Sequence, residues 1–546
     1  MITASSYASG TSQYALLGET IGERLRNSVA KHPQQDALVC VQQNYRATYT
    51  EFYSQTEEVA KALLALGLEQ GDRVGVWSPN RYEWVLLQFA TARIGLILVN
   101  INPAYSANEL EYVLDQAEIK CVFSPISYKT SAYKKMLLEA QEKNSTLEQI
   151  VIFEENWFKF LEQGQKISTI QLLSVEQMVQ IDDPVNIQYT SGTTGFPKGV
   201  TLTHHNILNN GYFIGIRLNY THIDRVCIPV PFYHCFGMVI GNMACVAHGA
   251  CMVIPGEKFD PAETLQAVER EKCTSLYGVP TMFIAELDLP NLDHFNLSSL
   301  RTGVMAGSPC PIEIMKKVQS KMNMKEISIC YGMTETSPVS TQTIIGTPIE
   351  KQVSTVGTVQ DHLEIKIIDP KSGIIVPRGV AGELCTRGYS VMLKYWNNEE
   401  ATKSVIDDKG WLHSGDLGTM DMDGYINITG RIKDIIIRGG ENISPKEIED
   451  FLYKHDAISD VQIIGVPSEK YGEEIMAWVK VKDNISINIE ELNLYCKQIA
   501  HFKRPKYWKF VNEFPMTVSG KIRKIEMKEI SIKELGLEKV KRIKTS

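Results

Sequence analysis

The chain has 546 residues, of which 44% are hydrophobic and 22% are charged, and its formal net charge is −8. Such totals are typical of an ordinary globular protein, and the chain is too long for one core, so we expect several subdomains of about 150 residues each. The negative charge argues against a nucleic-acid-binding surface over the whole molecule and favours small-molecule partners.

The cysteines and the first residues of the chain indicate a reducing compartment. The eleven cysteines are scattered without a CxxC pair, which argues against a disulfide framework and a structural zinc site. Residues 1–21 contain no Lys or Arg, so they resemble neither a secretory signal nor an Arg-rich transit peptide. No stretch reaches the ~18 uninterrupted apolar residues of a membrane-spanning helix. We therefore expect a cytoplasmic protein without a transmembrane segment.

Hydrophobic periodicity predicts alternating helices and strands along the first part of the chain. Residues 50–66 have helical spacing, residues 73–77 predict a short buried strand, and residues 82–94 predict a second helix. Further strand-like runs, separated mostly by segments of helical length, cover residues 96–99, 120–123, 149–153, 185–189, 225–230, 250–254, 274–277, 300–305 and 326–330. This alternation predicts an α/β fold with largely parallel sheets.

The sequence pattern changes twice beyond this region. From about residue 346 to residue 433, short strand-like pieces between Gly and Pro predict a small β-rich subdomain. From residue 434 the pattern predicts a compact α+β domain, in which Ser444 is the expected N-cap of a helix with Pro445 at its first position. We therefore expect a large domain at 1–433, with two α/β subdomains before the β-rich one, and a small domain at 434–546.

The residues from Lys521 onward are rich in Lys and Arg. A solvated basic helix is the ordinary interpretation of such a tail. Peripheral contact with a membrane surface, or with a polyphosphate, is the alternative.

The run YTSGTTGFPKG at residues 189–199 has the composition of a phosphate-binding loop. Its glycines allow close approach of the backbone to a ligand, while free N–H groups, hydroxyls and an ammonium group favour anions. It is not a Walker A loop, because Lys198 does not stand in a Gly-Lys-Ser/Thr triplet. A flexible linker is the alternative interpretation. The candidate anion-binding residues are Thr190, Ser191, Gly192, Thr193, Thr194 and Lys198.

Further stretches follow the loop in a fixed order: YGMTET at 331–336, GWLHSGDLG at 410–418, GRIKD at 430–434 with GGENI at 439–443, and SGKIRK at 519–524. Together with the loop, they resemble the motifs of the adenylate-forming superfamily of acyl-CoA synthetases, luciferases and peptide-synthetase adenylation domains. The resemblance covers nearly the whole chain and is weakest before about residue 185. It implies an enzyme that activates a carboxylic acid with ATP.

The resemblance implies how ATP is held. A carboxylate attacks ATP poorly because two anions must meet, so the site needs positive charge and aligned donors. The loop would hold the β- and γ-phosphates, and Glu335 would hold Mg²⁺, which prefers a carboxylate together with phosphate oxygens. Tyr331 would stack on the adenine, and Thr334 would bond the α-phosphate. The remaining residues expected around the nucleotide are Gly307, Ser308, Pro309 and Gly332.

The resemblance also assigns the ribose and the reacting groups. Asp416 and Arg431 fall where the family grips the ribose hydroxyls, since a carboxylate accepts two hydroxyl bonds and an arginine fork fixes its orientation. Lys521 would lie between the substrate carboxylate and the α-phosphate and offset charge on both. A surface ion pair and an exposed tail lysine are the ordinary alternatives.

A second half-reaction with CoA is implied for the same site. Lys433 matches the position about which the small domain of the family rotates, after which Gly439 and Gly440 would line the channel for the pantetheine arm. His234 stands where many relatives carry a residue that gates the acyl pocket. A plain loop lysine and a packed core histidine are the alternatives for Lys433 and His234.

The substrate class follows from what is missing. Amino-acid-activating domains carry an aspartate in the segment that corresponds to residues 232–237, and no acidic residue stands there. Acetate-specific relatives carry a bulky Trp where Gly332 stands, and the glycine leaves the acyl pocket open. We therefore expect a medium-to-long-chain fatty acid as the substrate that reacts with ATP and CoA. A homodimer is a further possible partner arrangement. An aryl acid, delivery to a carrier protein, and a non-catalytic nucleotide or fatty-acid binder are the alternatives.

Overall fold

The computed structural model describes residues 4–190, 197–308, 310–439, 441–482, 485–516 and 522–543. The chain divides into two compact units. The large unit comprises Ala8–Ile365 and Thr386–Leu412, and the small unit comprises Met1–Tyr7, Lys366–Cys385 and His413–Ser546. The domain boundary expected at 433/434 stays a prediction.

Helices and strands alternate through most of the described residues. The strands are β1 (Tyr7–Ser9), β2 (Asp36–Cys40), β3 (Tyr45–Thr48), β4 (Arg73–Trp77), β5 (Ile97–Ile101), β6 (Ile119–Ser124), β7 (Gln149–Ile152), β8 (Pro184–Thr190), β9 (Lys198–Thr203), β10 (Arg225–Cys227), β11 (Cys251–Ile254), β12 (Ser275–Gly278), β13 (Thr302–Ala306), β14 (Glu326–Gly332), β15 (Val339–Gln342), β16 (Thr358–Val359), β17 (Leu363–Ile368), β18 (Gly382–Gly388), β19 (Lys394–Tyr395), β20 (Leu412–Met420), β21 (Ile426–Arg431), β22 (Ile436–Arg438), β23 (Glu441–Ile443), β24 (Ile458–Ser468), β25 (Gly472–Val481) and β26 (Tyr507–Phe510). The α-helices are α1 (Ile21–Lys31), α2 (Tyr49–Ala65), α3 (Tyr82–Arg93), α4 (Ala107–Gln116), α5 (Tyr133–Lys143), α6 (Phe153–Gln163), α7 (Thr169–Glu176), α8 (His204–Arg217), α9 (Ala244–His248), α10 (Pro261–Glu271), α11 (Pro280–Leu287), α12 (Ile312–Lys321), α13 (Ile349–Ser354), α14 (Glu399–Lys403), α15 (Pro445–Leu452), α16 (Ile489–Tyr495), α17 (Lys524–Glu534) and α18 (Glu538–Ile543).

The large unit contains two sheets in which most neighbouring strands are parallel. Their strand orders are β16-β15-β14-β13-β12-β10-β11-β2-β3 and β19-β9-β8-β5-β4-β6-β7. Strands in the middle of these sheets are mostly apolar because both faces are buried, as in β5, where every residue is buried and Asn100 is the one polar residue. The predicted α/β class with parallel-rich sheets is confirmed, and each strand-like run of the sequence contains a strand.

The small unit contains a sheet of order β23-β22-β25-β24, and β26 pairs with β25 in parallel. A further sheet has the order β1-β17-β18-β20-β21. Helix α15 begins at Pro445 as predicted, but Ser444 does not cap it with its side chain. Its Oγ instead donates to the backbone oxygen of Thr429 (2.7 Å).

The basic tail is packed more closely than a solvated helix would be. Met527 and Ser531 of α17 are buried, and Trp478 Nε1 donates a hydrogen bond to Ser531 Oγ (2.9 Å). The tail is therefore a solvated basic helix on its charged face alone, because its other face is buried. Among the described residues, no helix has both the length and the apolar character that crossing a bilayer requires.

Candidate active site

The glycine-rich loop joins two antiparallel strands. Thr190 at the end of β8 lies opposite Lys198 at the start of β9, and Tyr189 lies opposite Gly199. The loop is therefore the tip of a hairpin whose ends are fixed by a sheet. Four of its candidate residues lie outside the described residues: Ser191, Gly192, Thr193 and Thr194.

Tyr395 connects this hairpin to the expected metal ligand. Strand β19 pairs with β9 and places Tyr395 opposite Val200. The Lys198 ammonium lies 4.9 Å from the centre of the Tyr395 ring, and the Tyr395 hydroxyl donates to Glu335 Oε1 (2.8 Å). A cation above the face of an aromatic ring is attracted by the ring's negative face. Tyr395 thus contacts both Lys198, which the family resemblance assigns to the pyrophosphate, and Glu335, which it assigns to the metal ion.

Glu335 is buried in a 3₁₀ turn, Thr334–Thr336, that follows β14. Its backbone oxygen accepts a hydrogen bond from Met392 N–H (2.9 Å), so both ends of the residue are held by the segment around β19. Burial, followed by the charge of Glu335, raises the pKa of Tyr395, which keeps its hydroxyl protonated as a donor. A buried carboxylate with one oxygen fixed in this way is a ligand that suits Mg²⁺.

The expected nucleotide residues of the large unit lie at the carboxyl ends of two adjacent parallel strands. Ala306 of β13 pairs with Cys330 of β14, so Gly307 and Ser308 lie at the same sheet edge as Tyr331. Ligands of open α/β sheets bind outside the carboxyl ends of their strands. Pro309 lies outside the described residues.

The backbone around Gly332 requires a glycine at this position, a requirement that the sequence did not reveal. A Cβ atom at this position would lie 1.7 Å from the backbone oxygen of Pro338. The register of β14 with β15 shifts between Tyr331 and Gly332, where the two segments approach each other. The glycine is therefore required to close the loop that carries Glu335, whatever its effect on the acyl pocket.

His234 lies two residues before a π-helix, Phe236–Met243. Its Nδ1 accepts a hydrogen bond from Phe236 N–H (3.2 Å), which assigns the ring proton to Nε2 in the neutral form. The side chain is half-buried, as a residue lining a pocket would be.

A ladder of buried amides holds the His234 segment in place. Asn100 Nδ2 donates to the backbone oxygen of Tyr233 (3.2 Å), and Asn186 Nδ2 donates to Asn100 Oδ1 (3.0 Å). Gln188 Nε2 donates to Asn186 Oδ1 (3.0 Å), while Cys235 Sγ donates to Gln188 Oε1 (3.2 Å). Satisfied buried networks of this kind fix a single arrangement.

The expected ribose residues meet in the small unit. Asp416 of β20 and Arg431 of β21 are direct partners in an antiparallel ladder, and Arg431 Nε donates to Asp416 Oδ1 (2.9 Å). Asp416 is buried, whereas 65% of the Arg431 side chain is exposed. The arginine thus orients a carboxylate from its outer side.

The expected pivot and channel residues also lie in the small unit. Lys433 is exposed in a 3₁₀ turn, Ile432–Asp434, directly after β21. Gly439 has a φ of 62° at the turn between β22 and β23, and its N–H donates to the backbone oxygen of Tyr471 (2.9 Å). Gly440 and Lys521 lie outside the described residues.

Two residues that contact the candidate site were missed by sequence reasoning. Tyr395 lies in a strand of two residues, 60 positions from Glu335, so neither periodicity nor spacing marks it. Glu383 accepts a hydrogen bond from Gly415 N–H (3.1 Å) and so supports the strand before Asp416. The strand-like pattern of residues 379–384 predicts the strand that carries Glu383, but it does not predict this contact.

Family models match most of the chain. The model of the AMP-binding enzyme family matches residues 25–396, and that of the AMP-binding enzyme C-terminal domain matches residues 447–521. The candidate residues of the large unit fall within or beside the first match, and Lys521 is the last residue of the second.

Curated relatives align with the chain over almost its full length. Protein YngI of Bacillus subtilis (strain 168), provisionally named an acyl-CoA synthetase, is 46% identical over 96% of this chain and 99% of its own length. The mitochondrial medium-chain acyl-CoA ligase ACSF2 of Danio rerio is 43% identical over 97% of this chain and 91% of its own.

A solved structure shares the fold. ATP-bound MatB from Rhodopseudomonas palustris superposes with a TM-score of 0.82 at 27% identity, covering 95% of this chain and all of that one. With two family models and relatives well above 30% identity, the chain belongs to the AMP-binding enzyme family and is one of its AMP-forming acid–CoA ligases.

Proposed function

We propose that the chain converts a medium-chain fatty acid into its CoA thioester in two half-reactions. The fatty-acid carboxylate attacks the α-phosphate of ATP to give acyl-AMP and pyrophosphate. The CoA sulfur then attacks the acyl carbon, its thiol proton is lost, and AMP leaves. The name of the Danio rerio relative supports the medium-chain preference, and the absence of an acidic residue from residues 232–237 supports an apolar acid.

The contact of Tyr395 with both Lys198 and Glu335 is the observation that best supports the first half-reaction. The ammonium is 4.9 Å from the ring centre and the carboxylate is 2.8 Å from the hydroxyl. Positive charge for a leaving pyrophosphate and a hard oxygen ligand for Mg²⁺ are the two features that joining two anions requires. In this proposal Tyr395 is a positioning residue for both.

The remaining residues of the large unit bind and orient. We assign Thr190 and Lys198 to the departing phosphates, Thr334 to the α-phosphate and Tyr331 to the adenine. Glu335 would hold Mg²⁺, which supplies positive charge to the phosphate oxygens when it is bound.

His234, whose Nδ1 accepts the hydrogen bond from Phe236 N–H, would border the acyl chain. Its half-buried ring and the amide ladder beneath it support a fixed wall of the pocket. A packed core histidine is the alternative, and this position stays a prediction.

The small unit supplies the second set of proposed contacts. Asp416, oriented by Arg431, would accept hydrogen bonds from the ribose hydroxyls. Lys521 would offset charge between the carboxylate and the α-phosphate in the first half-reaction. Rotation about Lys433 would then bring the Gly439 turn to the pantetheine arm of CoA. A cytoplasmic location and a homodimer also stay predictions.

The deciding experiment measures nucleotide products across acids from acetate through medium- and long-chain to aromatic, with and without CoA. We expect AMP and pyrophosphate as products, the highest kcat/KM with medium-chain acids, and faster AMP release when CoA is present. ADP as the product would overturn the mechanism. A maximum of kcat/KM with aromatic acids would favour an aryl-acid ligase. A rate of AMP release that is the same with and without CoA would favour transfer to a carrier protein.

A further inference from the structure

Three metal-ligating side chains converge in the small unit, away from Glu335 in the sequence. Glu383 and Cys385 lie two residues apart on β18 and therefore point to the same face of their sheet. His413 lies on β20, the neighbouring strand. The donor atoms of the three side chains all lie within 4.8 Å of one another.

The two distances from the His413 nitrogen are close to those between the ligands of a tetrahedral metal ion. His413 Nδ1 lies 3.0 Å from Glu383 Oε2 and 3.6 Å from Cys385 Sγ. Tetrahedral zinc with ordinary bond lengths to nitrogen, oxygen and sulfur separates such donor pairs by about 3.3 to 3.6 Å. The donor atoms of Glu383 and Cys385 also lie within 4.8 Å of each other, so all three pairs are near the separations that one ion requires.

The surroundings of the cluster bury two of its side chains and hold one of them in a fixed orientation. Glu383 and Cys385 are buried, and Glu383 is fixed by the hydrogen bond that its Oε1 accepts from Gly415 N–H (3.1 Å). Oε2 is thereby directed to His413. The His413 side chain is 31% exposed, so solvent reaches the imidazole ring, and a catalytic-type zinc site takes a water as its fourth ligand.

We propose that Glu383, Cys385 and His413 form a binding site for a borderline-soft divalent cation such as Zn²⁺. The mixed carboxylate, thiolate and imidazole donors favour Zn²⁺ over Mg²⁺. Binding displaces the thiol proton of Cys385 and leaves neutral His413 coordinated through Nδ1, with its remaining proton on Nε2. The sequence conceals the site because its ligands follow a Glu-x-Cys pattern with a histidine 28 residues later, and not a CxxC pair.

The ordinary interpretation of the cluster is a hydrogen-bonded ion pair between His413 and Glu383. It requires no cysteine, whereas the proposal makes Cys385 a thiolate ligand. The two interpretations therefore differ in whether the sulfur binds the ion. Because Glu383 also holds Gly415, a bound ion would fix the strand before Asp416; this consequence rests on the proposed ribose contact, but cation binding itself does not.

The test adds Co²⁺ to the full-length protein without ATP and follows the sulfur-to-cobalt charge-transfer band, with Zn²⁺ as competitor. We expect one equivalent of Co²⁺ to produce the band, and Zn²⁺ to remove it. Cys385→Ser should abolish the band, and His413→Asn should weaken the Co²⁺ affinity more than about 100-fold. The matched control is Cys310→Ser, a partly exposed cysteine outside the cluster, which should behave as wild type.

Absence of the band in wild type, or its persistence at full strength in Cys385→Ser, would overturn the proposal. Far-ultraviolet circular dichroism checks that each variant is folded, and Glu383→Gln supplies an independent ligand deletion if one variant fails this check. The measurement uses no substrate. Its failure therefore leaves the acyl-CoA ligase proposal untouched, and failure of that proposal leaves this site intact.

Discussion

Tyr395 shows how a single side chain can relate two residues that are far apart in sequence. Its ring lies against the Lys198 ammonium while its hydroxyl bonds Glu335, so the positions of the two charges depend on the same residue. The hydrogen bond to an ionised carboxylate contributes about 1.5 to 3 kcal/mol. Loss of the hydroxyl and loss of the ring should have separable effects.

Tyr395→Phe should raise the Mg²⁺ concentration for half-maximal pyrophosphate release by roughly 10-fold, because Glu335 loses its fixed orientation while the ring under Lys198 remains. Tyr395→Leu should raise the KM for ATP as well. Pyrophosphate release at varied Mg²⁺ and ATP measures both effects. Tyr45→Phe is the matched control, since Tyr45 lies on β3, at the far edge of the sheet that contains β14, and its hydroxyl donates to Gln55 of α2 (2.5 Å). An unchanged Mg²⁺ requirement in Tyr395→Phe would contradict the positioning role.

Gly332→Ala should lower acyl-AMP formation by more than about 10-fold. Its Cβ atom would lie 1.7 Å from the Pro338 oxygen, so the loop that carries Glu335 has to move, at a cost of about 1 to 3 kcal/mol. Pyrophosphate release and the midpoint of thermal unfolding measure the two consequences. Gly18→Ala is the control, because no atom lies within 4 Å of a Cβ atom there. Wild-type adenylation in Gly332→Ala would show that the backbone contact is not needed.

At the scale of elements, the sequence predicted what depends on continuous patterns. Strands β13 and β14 were predicted because both faces of each are buried, and helix α2 because its apolar residues recur at helical spacing. The family resemblance implied that Asp416 and Arg431 act together, but the strand register that makes them direct partners could not be predicted from periodicity. Tyr395 was missed because its strand has two residues, and the Ser444 hydroxyl found a partner outside its own helix.

The beginnings of helices α1 and α8 are joined by a buried histidine. Ile21 N–H donates to His204 Nδ1 (3.2 Å), and burial lowers the pKa of His204 to about 3. The native state therefore keeps His204 neutral, whereas the unfolded chain binds a proton below the ordinary pKa of about 6.5. This contribution to stability is complete above that pH and is lost as the pH falls toward 3.

His204→Gln should consequently reduce the loss of stability on acidification. The difference in free energy of unfolding between wild type and variant should shrink by about 1.4 kcal/mol for each pH unit below 6. Urea unfolding at about pH 6.5, 5.5 and 4.5 measures this difference in free energy of unfolding. These conditions roughly span the titration of the unfolded histidine. The exposed His294→Gln should keep the wild-type pH dependence. Equal pH dependence in wild type and His204→Gln would refute the buried neutral histidine.

At the scale of the whole molecule, the two proposed half-reactions should be separable by mutation. Lys521→Ala should abolish acyl-AMP formation, because the charge between carboxylate and α-phosphate is lost, but should spare thioester formation from supplied acyl-AMP and CoA. Rapid-quench assays of each step measure this. Lys533→Ala removes the same charge from an exposed position of α17 and should leave both steps unchanged. Equal loss of both steps in Lys521→Ala would contradict a role confined to the first.

The hydrogen bond from Ser444 to the Thr429 oxygen (2.7 Å) connects the residues on either side of Lys433. Rotation about Lys433 would have to break it, at a net cost of about 1 kcal/mol, which changes an equilibrium roughly fivefold. One hydroxyl would then shift the balance between the two orientations that the proposed half-reactions require. Removing it with Ser444→Ala would change how often the segment around Lys433 rearranges, without altering any residue assigned to substrate.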